Sequence, residues 1–277
     1  MHSMMRSLSC LAISIVLMVP ASVPEGDDAI EQGIAALEAE DYGQAYELLK
    51  PEADGGNAEA QNLIGQAYGF GLGVQQDLDR AVTYSRKAAD QGHAGAQETM
   101  GYAYYEGIVV EQDYARATEW YERAARSGRP SAQRSMGLRY KNGEGVERDY
   151  GKAAQWFRRS AEQGDARGAL ELAELYFRGF DGVERDRRRA LKWFYGAAHG
   201  GEAYAQYSLY SLHFQGFGAP ADTEIALTWA LIAGNNGHSV SASAWESASQ
   251  RMDAATVQRI EARVEAGAKP ILEKAFE

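Results

Sequence analysis

The stretch YGFGLGVQQDLDRA, residues 68–81, decides how the rest of the chain is interpreted. Gly69, Gly71 and Gly73 stand at alternate positions just ahead of an amphipathic segment. A glycine-rich loop that opens a helix can hold a phosphate group with its backbone N–H groups. A dinucleotide-binding loop of that kind follows a β-strand. Whether residues 68–81 form such a loop therefore depends on the structure that precedes these glycines.

The same stretch returns four more times, which marks it as part of an internal repeat. The copies are YYEGIVVEQDYARA from Tyr104, YKNGEGVERDYGKA from Tyr140, YFRGFDGVERDRRRA from Tyr176 and HFQGFGAPADTEIA from His213. They follow one another at intervals of 36, 36, 36 and 37 residues, with one residue inserted near Asp181. Units that recur at such periods stack on one another and share a continuous core.

Each copy contains the signals of two helices. The first helix has small or apolar residues spaced by three or four, such as Ala60, Ile64 and Ala67, and ends at a glycine suited to a left-handed cap. The second begins after an aspartate that can accept hydrogen bonds from the first turn. The predicted helix-ending glycines are Gly71, Gly107, Gly143, Gly179 and Gly216, and the predicted caps are Asp77, Asp113, Asp149, Asp186 and Asp222. The opening glycines therefore follow a helix and predict chain reversal, not a phosphate site.

The repeated pattern A-x-A-Q-x-x-L/M-G-x-x-Y-x-x-G, followed by G-V-x-x-D-x-x-x-A-x-x-W-x-x-x-A-A-x-x-G, resembles the Sel1-like repeat, a relative of the tetratricopeptide repeat. The resemblance implies an all-α fold, a right-handed α-solenoid of stacked helical hairpins whose concave face binds other proteins. We expect five repeats, at residues 58–93, 94–129, 130–165, 166–201 and 202–238. Residues 22–57 are expected to form an N-terminal capping helix pair and residues 239–277 C-terminal capping helices.

The N-terminal segment has the features of an export signal. Arg6 precedes the apolar run LSCLAISIVLMV, which is too short to span a bilayer as a helix. Small residues follow at Val19 and Ala21, the positions that a signal peptidase reads. We expect residues 1–21 to be cleaved near Ala21 and the protein to be periplasmic, not membrane-spanning after cleavage. Cys10 is the only cysteine and lies in this segment, so the mature chain would have neither disulfides nor a thiolate.

Composition argues against several kinds of function. The net charge of −11 argues against nucleic acid as a partner, because phosphate binding needs an excess of Lys and Arg. Residues 22–57 hold ten acids against Lys50 alone, whereas residues 113–192 hold 18 of the 28 basic residues against 13 acids. Such blocks are either solvated faces or surfaces that steer a partner. The histidines show no metal-ligand spacing and no serine lies in a G-x-S-x-G turn, so we expect no catalytic site, metal or cofactor.

Positions that recur in every copy predict packing. Trp120, Trp156, Trp193 and Trp229 share one register of the second helix with Tyr84, and we expect them to be core. Tyr68, Tyr104, Tyr140 and Tyr176 form a second packing ladder, in whose register His213 stands. His93 and His238 are expected at helix boundaries.

Positions that vary between copies predict function. By the register of the resemblance, the concave, partner-binding face comprises Asn62, Gln66, Glu98, Tyr102, Tyr105, Arg134, Leu138, Lys141, Glu174, Phe177, Tyr207 and Phe214. Aromatic residues and arginine are enriched among the residues that dominate binding energy. The alternative is that part of this set packs against the neighbouring repeat.

The resemblance implies a non-catalytic adaptor or regulator that binds another protein, such as an envelope sensor, a secretion component or a toxin. With a toxin as partner, the protein would be an immunity protein. A cell-wall or β-lactam hydrolase is a further alternative, although the chain lacks the cysteines of the relatives concerned and an evident nucleophile.

Overall fold

The computed structural model describes residues 28–267, in which all regular structure is α-helical. Fourteen helices follow one another there, and an isolated bridge between Phe180 and Val183 is the sole β-type pairing of these residues. The helices are α1 Asp28–Glu38, α2 Tyr42–Asp54, α3 Ala58–Phe70, α4 Leu78–Asp90, α5 Ala94–Glu106, α6 Tyr114–Arg126, α7 Pro130–Asn142, α8 Tyr150–Glu162, α9 Ala166–Arg178, α10 Arg187–His199, α11 Ala203–Gln215, α12 Thr223–Asn235, α13 Ser239–Ser249 and α14 Ala254–Glu265. The predicted all-α repeat fold is confirmed, and the predicted signal peptide lies outside the described residues.

The chain divides into two compact units, and the boundary in the sequence falls between Ser127 and Gly128. In the first unit α1 pairs with α2, α3 with α4 and α5 with α6, and each pair also packs on the next. In the second unit α7 pairs with α8, α9 with α10 and α11 with α12, again with contacts from pair to pair. The helices α13 and α14 both pack on α12. Within each unit, successive hairpins therefore bury one another's apolar sides.

The predicted caps are present on all five second helices. Each cap aspartate accepts a hydrogen bond at Oδ1 from the backbone N–H three residues on, over 2.8–3.0 Å. The five glycines predicted to end the first helices have φ between 70° and 76°. His93 and His238 are N-caps of α5 and α13, and the Nδ1 atom of His93 accepts from the N–H of Ala96 at 3.1 Å. The prediction that both lie at helix boundaries is confirmed.

The glutamine of the A-x-A-Q motif joins one hairpin to the next. Gln61 donates its Nε2 to the carbonyl of Ala53 at 3.1 Å and accepts from Gln91 Nε2 at 2.8 Å. Gln206 repeats this arrangement with the carbonyl of Ala198, at 3.0 Å, and with Asn236 Nδ2, at 2.9 Å. Gln61 and Gln206 thus use both the donor and the acceptor of their buried amides, as burial favours.

The predicted tryptophan ladder is fully buried at one of its positions. Trp229 is 1% exposed, whereas Trp156 is half-buried, with the guanidinium of Arg159 4.6 Å from its ring centroid. Phe157, the next residue, is 0% exposed. The core prediction therefore holds fully for Trp229 and in part for Tyr84, Trp120 and Trp193, which are half-buried and pack against the buried clusters. The helix turns the following residue further into the core. The half-buried members are Tyr84, Trp120, Trp156 and Trp193, and the buried residues beside three of them are Tyr121, Phe157 and Phe194.

The tyrosine ladder is fully buried at Tyr68 and Tyr176 and half-buried at its other two positions. A cation lies over each tyrosine ring, 5.3–5.7 Å from the centroid. This row of cations was not predicted. The pairs are Arg80–Tyr68, Arg116–Tyr104, Lys152–Tyr140 and Arg189–Tyr176. In the fifth copy both partners change together, to Ile225 and His213. His213 is 2% exposed, which confirms its expected place in the core.

Candidate protein-binding surface

The predicted binding residues of the first unit lie on α3 and α5. Asn62 is 5% exposed, and its Oδ1 has no hydrogen-bond partner among the described residues. Its side chain therefore offers little surface to another molecule. The ring of Tyr105 lies 5.4 Å from that of Tyr114, which is 39% exposed. The other predicted binding residues of the first unit are half-buried: Gln66, Glu98, Tyr102 and Tyr105.

Two predicted basic residues of α7 form ion pairs with the N-cap and with a residue of α9, the first helix of the next hairpin. Arg134 Nε lies 2.8 Å from Asp165 Oδ2, with the two side chains 24% and 14% exposed. Lys141 Nζ lies 2.5 Å from Glu171 Oε2. For these two residues the structure supports the alternative reading, in which they hold neighbouring hairpins together.

Leu138 and Phe177 belong mainly to the core of the second unit. Both are half-buried and pack against its buried apolar cluster. The ring of Phe177 meets that of Phe194 edge to face, at a centroid distance of 6.3 Å. These two side chains therefore contribute more to packing within the second unit than to a surface that a partner could contact.

The remaining predicted aromatics, Tyr207 and Phe214, lie together on α11 with two tyrosines that were not predicted. Ring centroids are 6.5 Å apart from Tyr204 to Tyr207, 6.1 Å from Tyr207 to Tyr210 and 5.9 Å from Tyr210 to Phe214. Spacings of three, three and four residues keep them on one side of the helix. We call this row the aromatic ridge: Tyr204, Tyr207, Tyr210 and Phe214.

The two ends of the aromatic ridge are its most accessible parts. Tyr204 is 47% exposed and Phe214 is 57% exposed. Between them the ring of Tyr207 stacks on His238, the N-cap of α13, with centroids 4.4 Å apart. Val240, in the first turn of α13, is 58% exposed. The rings between Tyr204 and Phe214 make this a continuous aromatic row, and contiguous apolar surface is typical of interaction sites.

The aromatic ridge stands in an almost uncharged part of the chain. From residue 203 to residue 249 there is no Lys or Arg, and the acids are Asp222, Glu224 and Glu246, in a chain of which 24% is charged. Asp222 caps α12, and Glu224 forms ion pairs with α14. Burial, and then the charge of Glu174, raises the pKa of the Tyr204 hydroxyl, so this group stays protonated. The ridge thus presents aromatic rings and neutral hydroxyls.

Beneath the aromatic ridge, α11 carries the buried His213. Its Nε2 lies 2.6 Å from the hydroxyl of Tyr195, and the Tyr195 ring meets that of Trp229 edge to face at 5.7 Å. Burial lowers the pKa of His213, and the opposing effect of the Asp222 charge is smaller. The histidine is therefore held in its neutral form.

Acidification is expected to destabilise the protein through His213. An unfolded histidine titrates near 6.5, whereas the folded one has a lowered pKa, so protons bind preferentially to the unfolded state. This contribution to stability is complete above the unfolded pKa and is lost as the pH falls below it. We expect His213→Gln to reduce the slope of unfolding free energy against pH by up to about 1.4 kcal/mol per pH unit. Urea unfolding at a series of pH values measures this slope; His93→Gln is the control, and equal slopes for wild type and His213→Gln would contradict the assignment.

Residues 28–267 offer neither a cluster of metal ligands nor a membrane-spanning helix. These residues contain no group of three or more His, Cys, Asp or Glu arranged to hold a metal ion. Among the same residues, no helix combines the length and the apolar character needed to cross a bilayer.

Capped hairpins that recur every 36 or 37 residues and bury one another define a helical-repeat protein. The family model for the Sel1 repeat matches residues 58–93, 94–128, 130–165, 166–202 and 201–238. The chain therefore belongs to the Sel1 repeat family, whose members mediate protein–protein interaction. No curated protein sequence matches it significantly.

Solved structures with the same fold include two at 33% sequence identity. A Sel1 repeat protein from Oxalobacter formigenes has a TM-score of 0.72, over 79% of this chain and 87% of that one. The protective antigen c5321 of uropathogenic Escherichia coli has a TM-score of 0.73, over 77% of this chain and 46% of the antigen, so this chain spans less than half of c5321. The immunity protein PA5088 of Pseudomonas aeruginosa shares the fold at 18% identity, with a TM-score of 0.53 over 80% of this chain and 85% of PA5088.

Proposed function

We propose that the protein is a non-catalytic adaptor that binds a segment of another protein at the aromatic ridge. The observation that carries this proposal is the row of four adjacent aromatic side chains on one side of α11, a helix without Asp, Glu, Lys or Arg, and the ends of this row are 47% and 57% exposed. Tyrosine offers a large contact area and a hydroxyl that can bond a partner, and it is enriched where binding energy concentrates. The interaction role of the family supports the proposal.

The chemistry of the aromatic ridge defines the proposed partner segment. A charged group buried against α11 would find no counter-ion on this helix, which has no Asp, Glu, Lys or Arg. An unpaired buried charge costs several kcal/mol, so charged side chains are disfavoured along Tyr207, Tyr210 and Phe214. At Tyr204 the ion pair of Arg178 and Glu174 lies close enough to act on the hydroxyl. The segment that fits best presents apolar or aromatic side chains, with polar groups that bond the tyrosine hydroxyls.

This proposal narrows the predicted binding face. Tyr207 and Phe214 contact the partner, together with Tyr204 and Tyr210. Arg134 and Lys141 do not contact the partner in this proposal, because their side chains form ion pairs that hold neighbouring hairpins together. The proposed site does not include Gln66, Tyr102 and Tyr105, which belong to the first unit.

Immunity against a toxin would be the same binding with the toxin as partner. PA5088 is an immunity protein by its description, but at 18% identity its likeness supports the fold alone. We therefore propose binding of a partner protein and do not specify that the partner is a toxin. We place it in the periplasm because of the export signal predicted for residues 1–21.

Removing the exposed ends of the aromatic ridge is expected to weaken partner binding without unfolding the protein. Partners captured on the immobilised wild-type chain from a periplasmic extract are identified, and their affinities are then measured with purified components. For Tyr204→Ser with Phe214→Ser we expect a loss of about 2 kcal/mol, or about 30-fold in Kd.

The matched control is Leu78→Ser with Tyr114→Ser, which removes two apolar side chains of the first unit that are 40% and 39% exposed. We expect it to bind like wild type, and both variants to keep the wild-type melting temperature. A partner that binds the ridge variant and wild type equally would refute the aromatic ridge as the site.

A further inference from the structure

Two of the second helices of the second unit, α8 and α10, concentrate positive charge in a chain whose net charge is −11. Together α8 and α10 contain seven basic residues and one acid, Glu162. The corresponding helices of the first unit, α4 and α6, contain six basic residues and four acids. We call the seven cations the basic face: Lys152, Arg158, Arg159, Arg187, Arg188, Arg189 and Lys192.

The cations of the basic face are accessible. Both helices pack on α9, and six of the seven side chains are exposed, with Arg187 half-buried. In the described part of the chain, the ion pairs that these helices form are those of Lys152 and Arg189 with the cap aspartates Asp149 and Asp186. Those two cations remain 58% and 65% exposed at their side chains.

Four other cations of the basic face have aromatic neighbours in place of acidic ones. Arg158 donates to the hydroxyl of Tyr176 at 2.5 Å, and the guanidinium of Arg187 lies 4.2 Å from the ring centroid of Phe217. Arg159 and Lys192 lie 4.6 Å and 6.0 Å from the ring centroids of Trp156 and Trp193. An aromatic ring restrains a cation without neutralising it, so the full charge stays available and less conformational entropy is lost on binding.

Two features of the basic face favour an acidic protein segment over a membrane or a nucleic acid. Trp156 and Trp193 lie beneath cations, so their rings are not free to stack on bases or to enter a lipid interface. An extended polyanion would also approach the many acids elsewhere on a chain of net charge −11. A short acidic segment would meet the cations alone.

We infer that the basic face binds a segment of a protein rich in Asp and Glu, at a place separate from the aromatic ridge. Arg159 and Arg188 are exposed and can each take a carboxylate through two parallel hydrogen bonds, while the other cations of the basic face add positive charge around them. This inference does not depend on the proposed function, because the two surfaces lie on different helices and select opposite chemistry.

The test is a titration of the purified chain against a fluorescently labelled peptide of alternating Glu and Ser, followed by fluorescence anisotropy. We expect binding at about 0.05 M salt that weakens towards about 0.3 M. The variant Arg159→Glu, Arg188→Glu, Lys192→Glu is expected to bind about tenfold or more weakly. The control Arg86→Glu, Lys87→Glu, Arg126→Glu has the same net charge and should bind within about twofold of wild type. If the first variant does not fold, the three Gln substitutions replace it.

Further probes decide the class of partner. A peptide with Gln in place of Glu should not bind; equal binding of both peptides would overturn the inference. Vesicles with phosphatidylglycerol, or a short DNA duplex, that bound more tightly than the acidic peptide and lost binding in the same variant would also overturn it. Absence of binding to the acidic peptide at low salt would do so as well.

Discussion

Replacement of Phe157 by alanine is expected to lower the free energy of unfolding by about 3–5 kcal/mol, whereas replacement of the larger Trp156 beside it should cost only about 1–2 kcal/mol. Phe157 is 0% exposed and belongs to the apolar cluster of the second unit, so its removal leaves a cavity. Trp156 is half-buried, and one of its neighbours is the flexible, exposed Arg159. Solvent and this side chain can occupy the space that the indole leaves.

The ring of Phe157 packs closely because a glycine lies opposite it on the facing helix. A Cβ at Gly137 of α7 would lie 2.5 Å from ring atoms of Phe157. Urea unfolding followed by far-UV circular dichroism measures both alanine variants. Phe157→Leu is the control and should cost about 1 kcal/mol, because most of the volume is kept. Equal losses for Phe157→Ala and Trp156→Ala would mean that this core is packed differently.

The hairpins and their caps could be predicted because their signals are local. An aspartate such as Asp77 needs only the N–H three residues on, and a glycine such as Gly71 needs only freedom to take a positive φ. The recurrence of these signals at one period made the number and order of the hairpins evident without any long-range information.

The aromatic position that faces the core could not be predicted from recurrence alone. Trp156 and Phe157 stand in adjacent positions, both of which are aromatic in several copies, and about 100° around the helix separates them. What decides between them is the facing glycine of the first helix. In two copies this glycine lies under the ring of the second position: Gly101 under Tyr121 and Gly137 under Phe157.

The candidate site was predicted only in part, because some of its contacts depend on how the hairpins stack. The register of the resemblance included Tyr207 and Phe214, but it passed over Tyr204 and Tyr210, whose spacing along α11 was the available signal. The ion pair of Arg134 could not be inferred because Asp165 is 31 residues away, at the N-cap of α9 in the next hairpin. Contacts between copies depend on how the hairpins stack, which local patterns do not specify.

Replacement of Gly73 by alanine is expected to destabilise the first unit by about 3–5 kcal/mol, since backbone strain and a steric clash would combine. Gly73 has φ of +67°, and a Cβ there would lie 2.1 Å from the carbonyl oxygen of Tyr42 and 2.9 Å from the backbone nitrogen of Gly43. The turn after α3 thus abuts the first turn of α2. Neither backbone can move away without separating the first repeat from the helix pair α1–α2.

Gly92 provides the matched control, because it has φ of +92° and a Cβ added there would meet no atom within 4 Å. Gly92→Ala should show only the left-handed strain, about 1–2 kcal/mol, so the difference between the two variants in urea unfolding measures the contact with α2. The second copy has Val109 in the register of Gly73, with φ of +62° and 46% exposure. The reverse change Val109→Gly should therefore stabilise the protein by about 1 kcal/mol. If Gly73→Ala costs no more than Gly92→Ala, the backbone contact does not hold the α1–α2 pair on the first repeat.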